Sequence, residues 1–415
     1  MKQKKYLFIT IIIVFSIFLI EIGAKFIYQF QFKKELNKKE LLQYFASTDS
    51  STLNASKNTA IQDLIPHPYY GFSKNKDSNS NINDFGFHGQ LADSINQNGR
   101  FEVLVCGGSV AAQLINDYGN DFKNSLSKAL NVPKDSIQIF SAALGGFKQP
   151  QQLMALNFLL SKNVHFDCVI NIDGFNELAL SIGENMPSGL NISYPRLWSL
   201  LNSQSLSSEN VELIYQIYQS EKKRKKVRSL AQMPPFKWSN FFLMTALILD
   251  KKYQPDVKQM EKIYANILNS GRSFAKHGPE NISIEKQMAF PEIVRNWQLS
   301  STLMNTICEG QKISFFHFLQ PNQYDINSKN LSEEEKNNYY LNAENSPYRN
   351  AIENGYPLLK LALKSEKHFF DLSQIFKNES QSIYADNCCH YNKKGYEILA
   401  DSIAFKMNQG GLKDY

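Results

Sequence analysis

Ser109 follows two glycines in Cys106-Gly107-Gly108-Ser109-Val110, directly after an apolar run and directly before an amphipathic one. A serine at a tight turn that opens a helix has its hydroxyl exposed beside backbone N–H groups lacking a helical partner, and such groups can stabilise a negative oxygen. Leu144-Gly145-Gly146-Phe147 is a second turn whose missing side chains let a backbone N–H approach a ligand closely. Asp173-Gly174-Phe175-Asn176-Glu177 adds a side-chain amide donor, and Ala385-Asp386-Asn387-Cys388-Cys389-His390 brings an imidazole together with a carboxylate. A hydroxyl, a base, a group to orient the base, and convergent N–H donors are what nucleophilic acyl transfer requires. Each piece alone is ordinary. Gly-Gly-Ser after a strand is usually a turn and helix cap, Gly174-Phe175-Asn176 is an unremarkable loop, and His390 is one of seven histidines. Their joint order along the chain points to a site.

That order has meaning only if the segments between them form strands and helices in alternation. Glu102 to Cys106, Ile137 to Ser141 and Phe166 to Ile172 read as buried strands, with helices predicted over Val110 to Leu130 and Gln149 to Ser161. The rhythm breaks between about residues 180 and 279. There the helical patterns Glu209 to Gln232, Phe241 to Leu249 and Val257 to Leu268 occur with no convincing strand, and this stretch reads as a helical insertion. The sheet resumes with Ile313 to Leu319, a helix from about Pro347 to Ser365, a short strand at His368 to Asp371 and a closing helix at Lys393 to Met407. Alternating strands and helices imply parallel pairing through right-handed crossovers, hence an α/β domain with functional groups at the carboxyl ends of the strands. No internal repeat is visible.

Taken together these blocks resemble the SGNH (GDSL-like) hydrolases. The match is carried by Gly107-Gly108-Ser109 after the first strand, Gly146 after the second, Gly174-x-Asn176 after the third, and an Asp and a His ahead of the final helix. The resemblance implies a flavodoxin-like, three-layer α/β/α fold with a mostly parallel five-stranded sheet. It also implies Ser109 as nucleophile, His390 as base, and an oxyanion hole built from the Ser109 N–H, the Gly146 N–H and the Asn176 side chain. Two departures stand out. Gly-Gly-Ser replaces the usual Gly-Asp-Ser, and Asp386 lies four positions before His390 where the family has three. Asp386 is the preferred third member, with Asp371 or a backbone carbonyl as alternatives for orienting the imidazole.

Lys2, Lys4 and Lys5 precede an uncharged run from Tyr6 to Ile20 that continues past Glu21 and Lys25 to about Tyr28. This reads as a signal sequence or a signal anchor, and the uncleaved anchor over residues 1–28 is favoured over cleavage at Ile22-Gly23-Ala24, with the basic end held inside and the rest of the chain across the membrane. Residues 29–60 read as a linker: a short polar helix from Phe32 to Phe45, then a Ser/Thr/Asn-rich stalk from Ser47 to Thr59. Residues 61–415 form the hydrolase-like domain including the insertion, with the block from Ile61 to Arg100 as an extended, aromatic-punctuated lead-in. A net charge of +6 with scattered lysines calls for no nucleic-acid partner. Lys222 to Arg228 reads as the solvated face of a helix, with anionic polymers or lipid headgroups as the rival reading, and His317 as a core histidine. Of five cysteines, Cys106 and Cys168 read as buried thiols, and a disulfide from Cys308 to Cys388 or Cys389 is open. Cys389 lacks the glycine turn and donors that surround Ser109, so it is not the expected nucleophile.

The expected activity is therefore that of an extracytoplasmic serine esterase, needing no cofactor or metal, acting on acyl or acetyl esters of small molecules, cell-surface glycans or lipids. The rival readings are an O-acetyltransferase working on exported polysaccharide and a non-catalytic surface-binding protein with the same fold.

Overall fold

Aromatic residues of the segment read as an extended lead-in form a hairpin instead. In the computed structural model, which describes residues 2–46, 64–76, 81–89, 99–201, 208–254, 258, 274–281, 286–342, 346 and 348–410, Leu64–His67 (β1) and Gly71–Lys74 (β2) pair antiparallel. Tyr70 stacks on His67 with ring centroids 3.6 Å apart. Phe72 and Phe87 meet Phe147 edge-on at 5.1 and 6.2 Å, so this cluster buttresses the turn that carries Gly146.

The expected sheet is present, with five strands, all parallel. In chain order they are β3 (Phe101–Gly107), β4 (Ile137–Ala143), β5 (Cys168–Asp173), β6 (Ser314–Leu319) and β7 (Phe369–Asp371), arranged across the sheet as β4-β3-β5-β6-β7. Strands β3 and β5 are buried throughout. Burial of every position, with Glu102, Asn171 and Asp173 as the polar exceptions in otherwise apolar runs, is what a parallel sheet covered on both faces demands. From β3 the chain moves one way to β4 and then back to β5 on the other side. The switch point therefore lies at the carboxyl ends of β3 and β5, where the crevice of a doubly wound sheet opens.

Helices pack around the sheet in two groups. The closing helix Lys393–Gln409 lies against Gly119–Leu130, while Lys286–Gly310 lies against Arg349–Ala362 and β6. One predicted helix is broken: Val110 to Leu130 is two helices, Ser109–Asn116 and Gly119–Leu130. Tyr118 leaves the helical region to stack on Tyr396 of the closing helix, centroids 4.6 Å apart, and Gly119 restarts the winding. The Lys286–Gly310 helix was not anticipated.

The chain divides into two compact units, residues 63–202 with 271–415, and residues 1–62 with 203–270. The first carries the sheet. In the second, the helix Lys2–Phe32 includes a stretch, Tyr6–Phe32, of 27 residues, long and apolar enough to cross a membrane. Lys38–Ala46, Ser208–Gln232 and Asn240–Lys252 accompany it. The stalk from Ser47 to Thr59 and nearly all of the Val257–Leu268 helix lie outside the described residues.

Within this unit the basic run divides by face. Lys222, Lys223, Lys225 and Lys226 are exposed, whereas Arg224 and Arg228 are buried. Arg228 Nε lies 2.6 Å from Asp250 Oδ1, Arg224 Nη2 lies 3.3 Å from Oδ2, and Tyr44 donates its hydroxyl proton to Oδ2 at 2.6 Å. Burial would raise the Asp250 pKa, but the hydrogen bonds from Arg228, Tyr44 and Arg224 outweigh it and bring it to about 2. Asp250→Ala removes the carboxylate that two buried guanidinium groups share and is expected to destabilise the unit by about 3–5 kcal/mol. Thermal unfolding of the detergent-solubilised chain measures this, with Asp250→Glu retaining part of the loss.

Candidate active site

The structure brings Ser109, His390 and Asp386 together although 281 positions separate the serine from the histidine. Ser109 opens its helix at the end of β3, after Gly107 with φ +149 and Gly108 with extended backbone. Its Oγ lies 2.8 Å from His390 Nε2. On the other side of the ring, His390 Nδ1 lies 2.5 Å from Asp386 Oδ2. An ionised Asp386 accepts a hydrogen bond from Nδ1–H, which leaves Nε2 as the lone-pair nitrogen facing the serine hydroxyl.

The four-residue spacing of Asp386 and His390 has a local explanation. Asp386 Oδ1 accepts the backbone N–H groups of Cys388, Cys389 and His390 at 2.9, 3.0 and 3.2 Å, so one carboxylate oxygen closes the turn while the other meets the imidazole. Burial would raise this carboxyl, but the hydrogen bond and charge of His390 and the N–H groups of Cys388 and His390 hold it at about 2. Asp371, the alternative, receives the Ser373 N–H at 2.8 Å.

The turn is held from below by the segment after β6. Asn322 Nδ2 donates to the Cys388 carbonyl at 2.9 Å, Gln323 Nε2 to that of Asp386 at 2.9 Å, and the Tyr324 hydroxyl to that of Asn387 at 3.0 Å. Three consecutive side chains thus clamp three consecutive carbonyls. On the far side, Asn392 caps the closing helix by accepting from the Gly395 N–H at 3.0 Å. Asn322, Gln323 and Tyr324 were not singled out from the sequence, although the position after a buried strand marks them as facing the crevice.

The expected oxyanion donors also lie at the strand ends. Gly146 has φ +84. Neither its N–H nor that of Ser109 donates to an acceptor among the described residues. Asn176 Nδ2 donates one proton to the Phe147 carbonyl at 2.7 Å and lies 2.2 Å from where a Cβ on Gly108 would stand, so only glycine leaves room for this amide. The second proton of the amide is available to a ligand. Asn176 is placed by a locked turn: Gly174 has φ +112, and its N–H donates to Glu177 Oε2 at 2.8 Å while Gln149 N–H donates to Oε1 at 2.9 Å. Burial, with Asp173 nearby, pushes the Glu177 carboxyl upward against those N–H bonds.

His317 belongs to the foundation of the site. It is fully buried, with Nε2 2.7 Å from Asp173 Oδ1 and Nδ1 2.7 Å from Ser301 Oγ. Trp297 Nε1–H donates to the same Asp173 oxygen at 2.7 Å, completing a buried polar network under the end of β5.

At the rim, Arg196 leans over Gly146, its Cδ 3.0 Å from the position a Cβ would take. Glu184 holds the guanidinium at two points, 2.6 and 2.9 Å, and also accepts from the Tyr348 hydroxyl at 3.2 Å. Glu184 and Arg196 lie 12 positions apart and Tyr348 lies 164 from Glu184, and no motif joins the three. All five cysteines are free. Cys388 and Cys389 place their sulfur atoms 3.2 Å apart beside the imidazole. Burial first, then Cys388 and Asp386, push the Cys389 thiol up, which disfavours the thiolate a cysteine nucleophile needs.

The chain matches no protein-family model and no curated protein. Among solved structures it is similar to the lipase Lip_vut3 from a goat rumen metagenome, at 12% identity and a TM-score of 0.34 over 75% of this chain and 97% of that one. It is also similar to the acetyl xylan esterase AlAXEase, at 12% identity and a TM-score of 0.32 over 75% of this chain and 100% of that one.

Proposed function

We propose that this chain is a serine ester hydrolase of the SGNH kind, with Ser109 as nucleophile, His390 as general base and acid, and Asp386 as the group that fixes the imidazole. The observation that carries this reading is the continuous hydrogen-bonded line from Ser109 Oγ through the two ring nitrogens of His390 to Asp386 Oδ2, at 2.8 and 2.5 Å. The first distance is within reach for proton transfer, and the second lets the carboxylate hold the imidazole in one orientation.

In this reading Ser109 Oγ attacks the ester carbonyl carbon as its proton passes to His390 Nε2. The oxygen that becomes negative lies toward the Ser109 and Gly146 N–H groups and the Asn176 amide. Collapse of the tetrahedral species expels the alcohol, which takes the proton from Nε2, and leaves an acyl group on Ser109. Water, deprotonated by the same nitrogen, then releases the acid. Arg196, held by Glu184 at the rim, offers a polar edge to a substrate that carries oxygen functions beyond the ester.

We assign residues 1–28 as a membrane anchor, 29–60 as a linker and 61–415 as the hydrolase domain with its insertion, and we place that domain on the extracytoplasmic side. The support is the apolar length of Tyr6–Phe32 and the lysines before it. Acyl or acetyl esters of surface glycans or lipids are the substrates such a location supplies. Incubating the detergent-solubilised chain with an activated acetyl ester, with and without an oligosaccharide acceptor, tests the reaction. Free acetate as the main product in both cases is expected; acetyl transfer to the sugar in excess of hydrolysis contradicts the hydrolase reading.

A further inference from the structure

Depth along the spanning helix can be counted. At 1.5 Å per residue, a hydrocarbon layer of about 30 Å takes about 20 residues, and a count begun at Tyr6 ends near Lys25. Glu21 therefore lies in the last turn inside the far boundary. Its carboxylate is bound by the start of another helix: the Ser239 hydroxyl donates to Oε1 and the Asn240 N–H to Oε2, the latter at 2.6 Å. From that level the Asn240–Lys252 helix runs alongside in the same direction. Ala24 and Tyr28 are buried with Leu243, Met244 and Leu247, and the Lys251 ammonium sits 4.6 Å from the Phe32 ring centroid.

The Ser208–Gln232 helix comes back antiparallel, its Arg224 and Arg228 meeting Asp250 near the other end of that partner. The turn joining the two helices, Met233 to Ser239, is thus at the depth of Glu21. Around this turn large apolar side chains face outward: Trp238 is 63% exposed, Met233 49%, Phe242 45%, Leu230 42% and Phe241 40%. Inward-facing neighbours in the same helix, Leu243 and Leu247, are buried, so the exposed set is one face of an otherwise well-packed hairpin. Two to three helical turns back from the tip, Lys222, Lys223, Lys225 and Lys226 are exposed, a level that a headgroup layer occupies when the tip is at the acyl boundary.

We propose that the turn spanning Leu230 to Phe242 inserts into the interfacial layer of the same bilayer that Tyr6–Phe32 spans, with Trp238 at the acyl–headgroup boundary and the Lys222–Lys226 cations among anionic headgroups. An amphipathic indole and a cluster of phenyl rings backed by lysines is the composition that lies at this boundary. Continuity with the spanning helix through Glu21 selects lipid over a protein partner as the occupant. This inference rests on the membrane-anchored reading above, and its test separates the two.

The full chain is reconstituted into phosphatidylcholine–phosphatidylglycerol vesicles whose acyl chains are brominated near the ester end, in wild-type and Trp238→Phe forms. Trp198 and Trp297 remain as internal references in both. The expected result is quenching of part of the tryptophan emission in the wild type and loss of that quenched fraction in the variant. Equal quenching in the two forms, with the chain retained in the vesicles after carbonate extraction, overturns the insertion of the turn but leaves the anchor standing. Release of the chain by carbonate overturns the anchor, and the insertion with it.

Discussion

Replacing Ser109 by alanine is expected to lower kcat for ester hydrolysis by about 10⁴ to 10⁶-fold, the range found when members of such a constellation are removed. The fold should be unaffected. Ser109 contributes its hydroxyl to His390 and no cap bond to its own helix, whose preceding residue is Gly108. The measurement is kcat against an activated acetyl ester, with thermal unfolding of the same preparation as the control. A variant that keeps more than a few per cent of activity would move the nucleophile elsewhere, and the buried, protonated Cys389 is a poor replacement.

Asp386→Asn is expected to cost about 10⁴-fold in kcat, because an amide can hold the wrong tautomer of the imidazole. The amide oxygen can still accept the N–H groups that Asp386 Oδ1 takes from Cys388, Cys389 and His390, so the turn should persist. The sign of the pH dependence follows from the carboxyl's position. Its folded value, about 2, lies below the ordinary carboxylate range. The carboxylate's contribution is therefore fully present above that ordinary range and is lost only as pH falls through about 2. Asp386 accordingly adds no acid limb to the wild-type rate at milder pH, and a kcat/KM profile checks this. Asp371→Asn serves as the comparison and should leave kcat nearly unchanged, since its carboxylate caps Ser373.

How far the sequence could be read depended on the range of the interactions. The central strands announce themselves as mainly apolar runs, and all five strands, the partly exposed edge strand β7 included, were anticipated within two residues at each end. The glycine turns were readable for a steric reason: Gly146 and Gly174 sit at positive φ, and Gly108 leaves the space that Asn176 Nδ2 fills. The Lys286–Gly310 helix was missed despite Ala289, Ile293, Trp297, Met304 and Cys308 recurring at helical spacing on its buried face. Pro291 inside it, and the serines at 300 and 301 on that same face, obscured the pattern.

Other features have no local signature at all. The clamp of Asn322, Gln323 and Tyr324 on the carbonyls of residues 386–388 joins segments more than sixty positions apart. Tyr348 likewise reaches Glu184 across 164 positions, where Arg196, 12 positions on from Glu184, already holds that carboxylate. The basic run at Lys222 to Arg228 was half readable. Periodicity places its lysines outward, but nothing nearby announces that Asp250 draws the two arginines in.

Covalent labelling tests the assignment of Ser109 most directly. The full-length chain is treated with an active-serine phosphonate probe and digested, and the adduct is located by peptide mass spectrometry. The account predicts one stoichiometric adduct on the peptide containing Ser109, slowed strongly by Asp386→Asn and absent in Ser109→Ala. Failure to label the folded wild-type chain, or labelling that persists at another residue in Ser109→Ala, contradicts it.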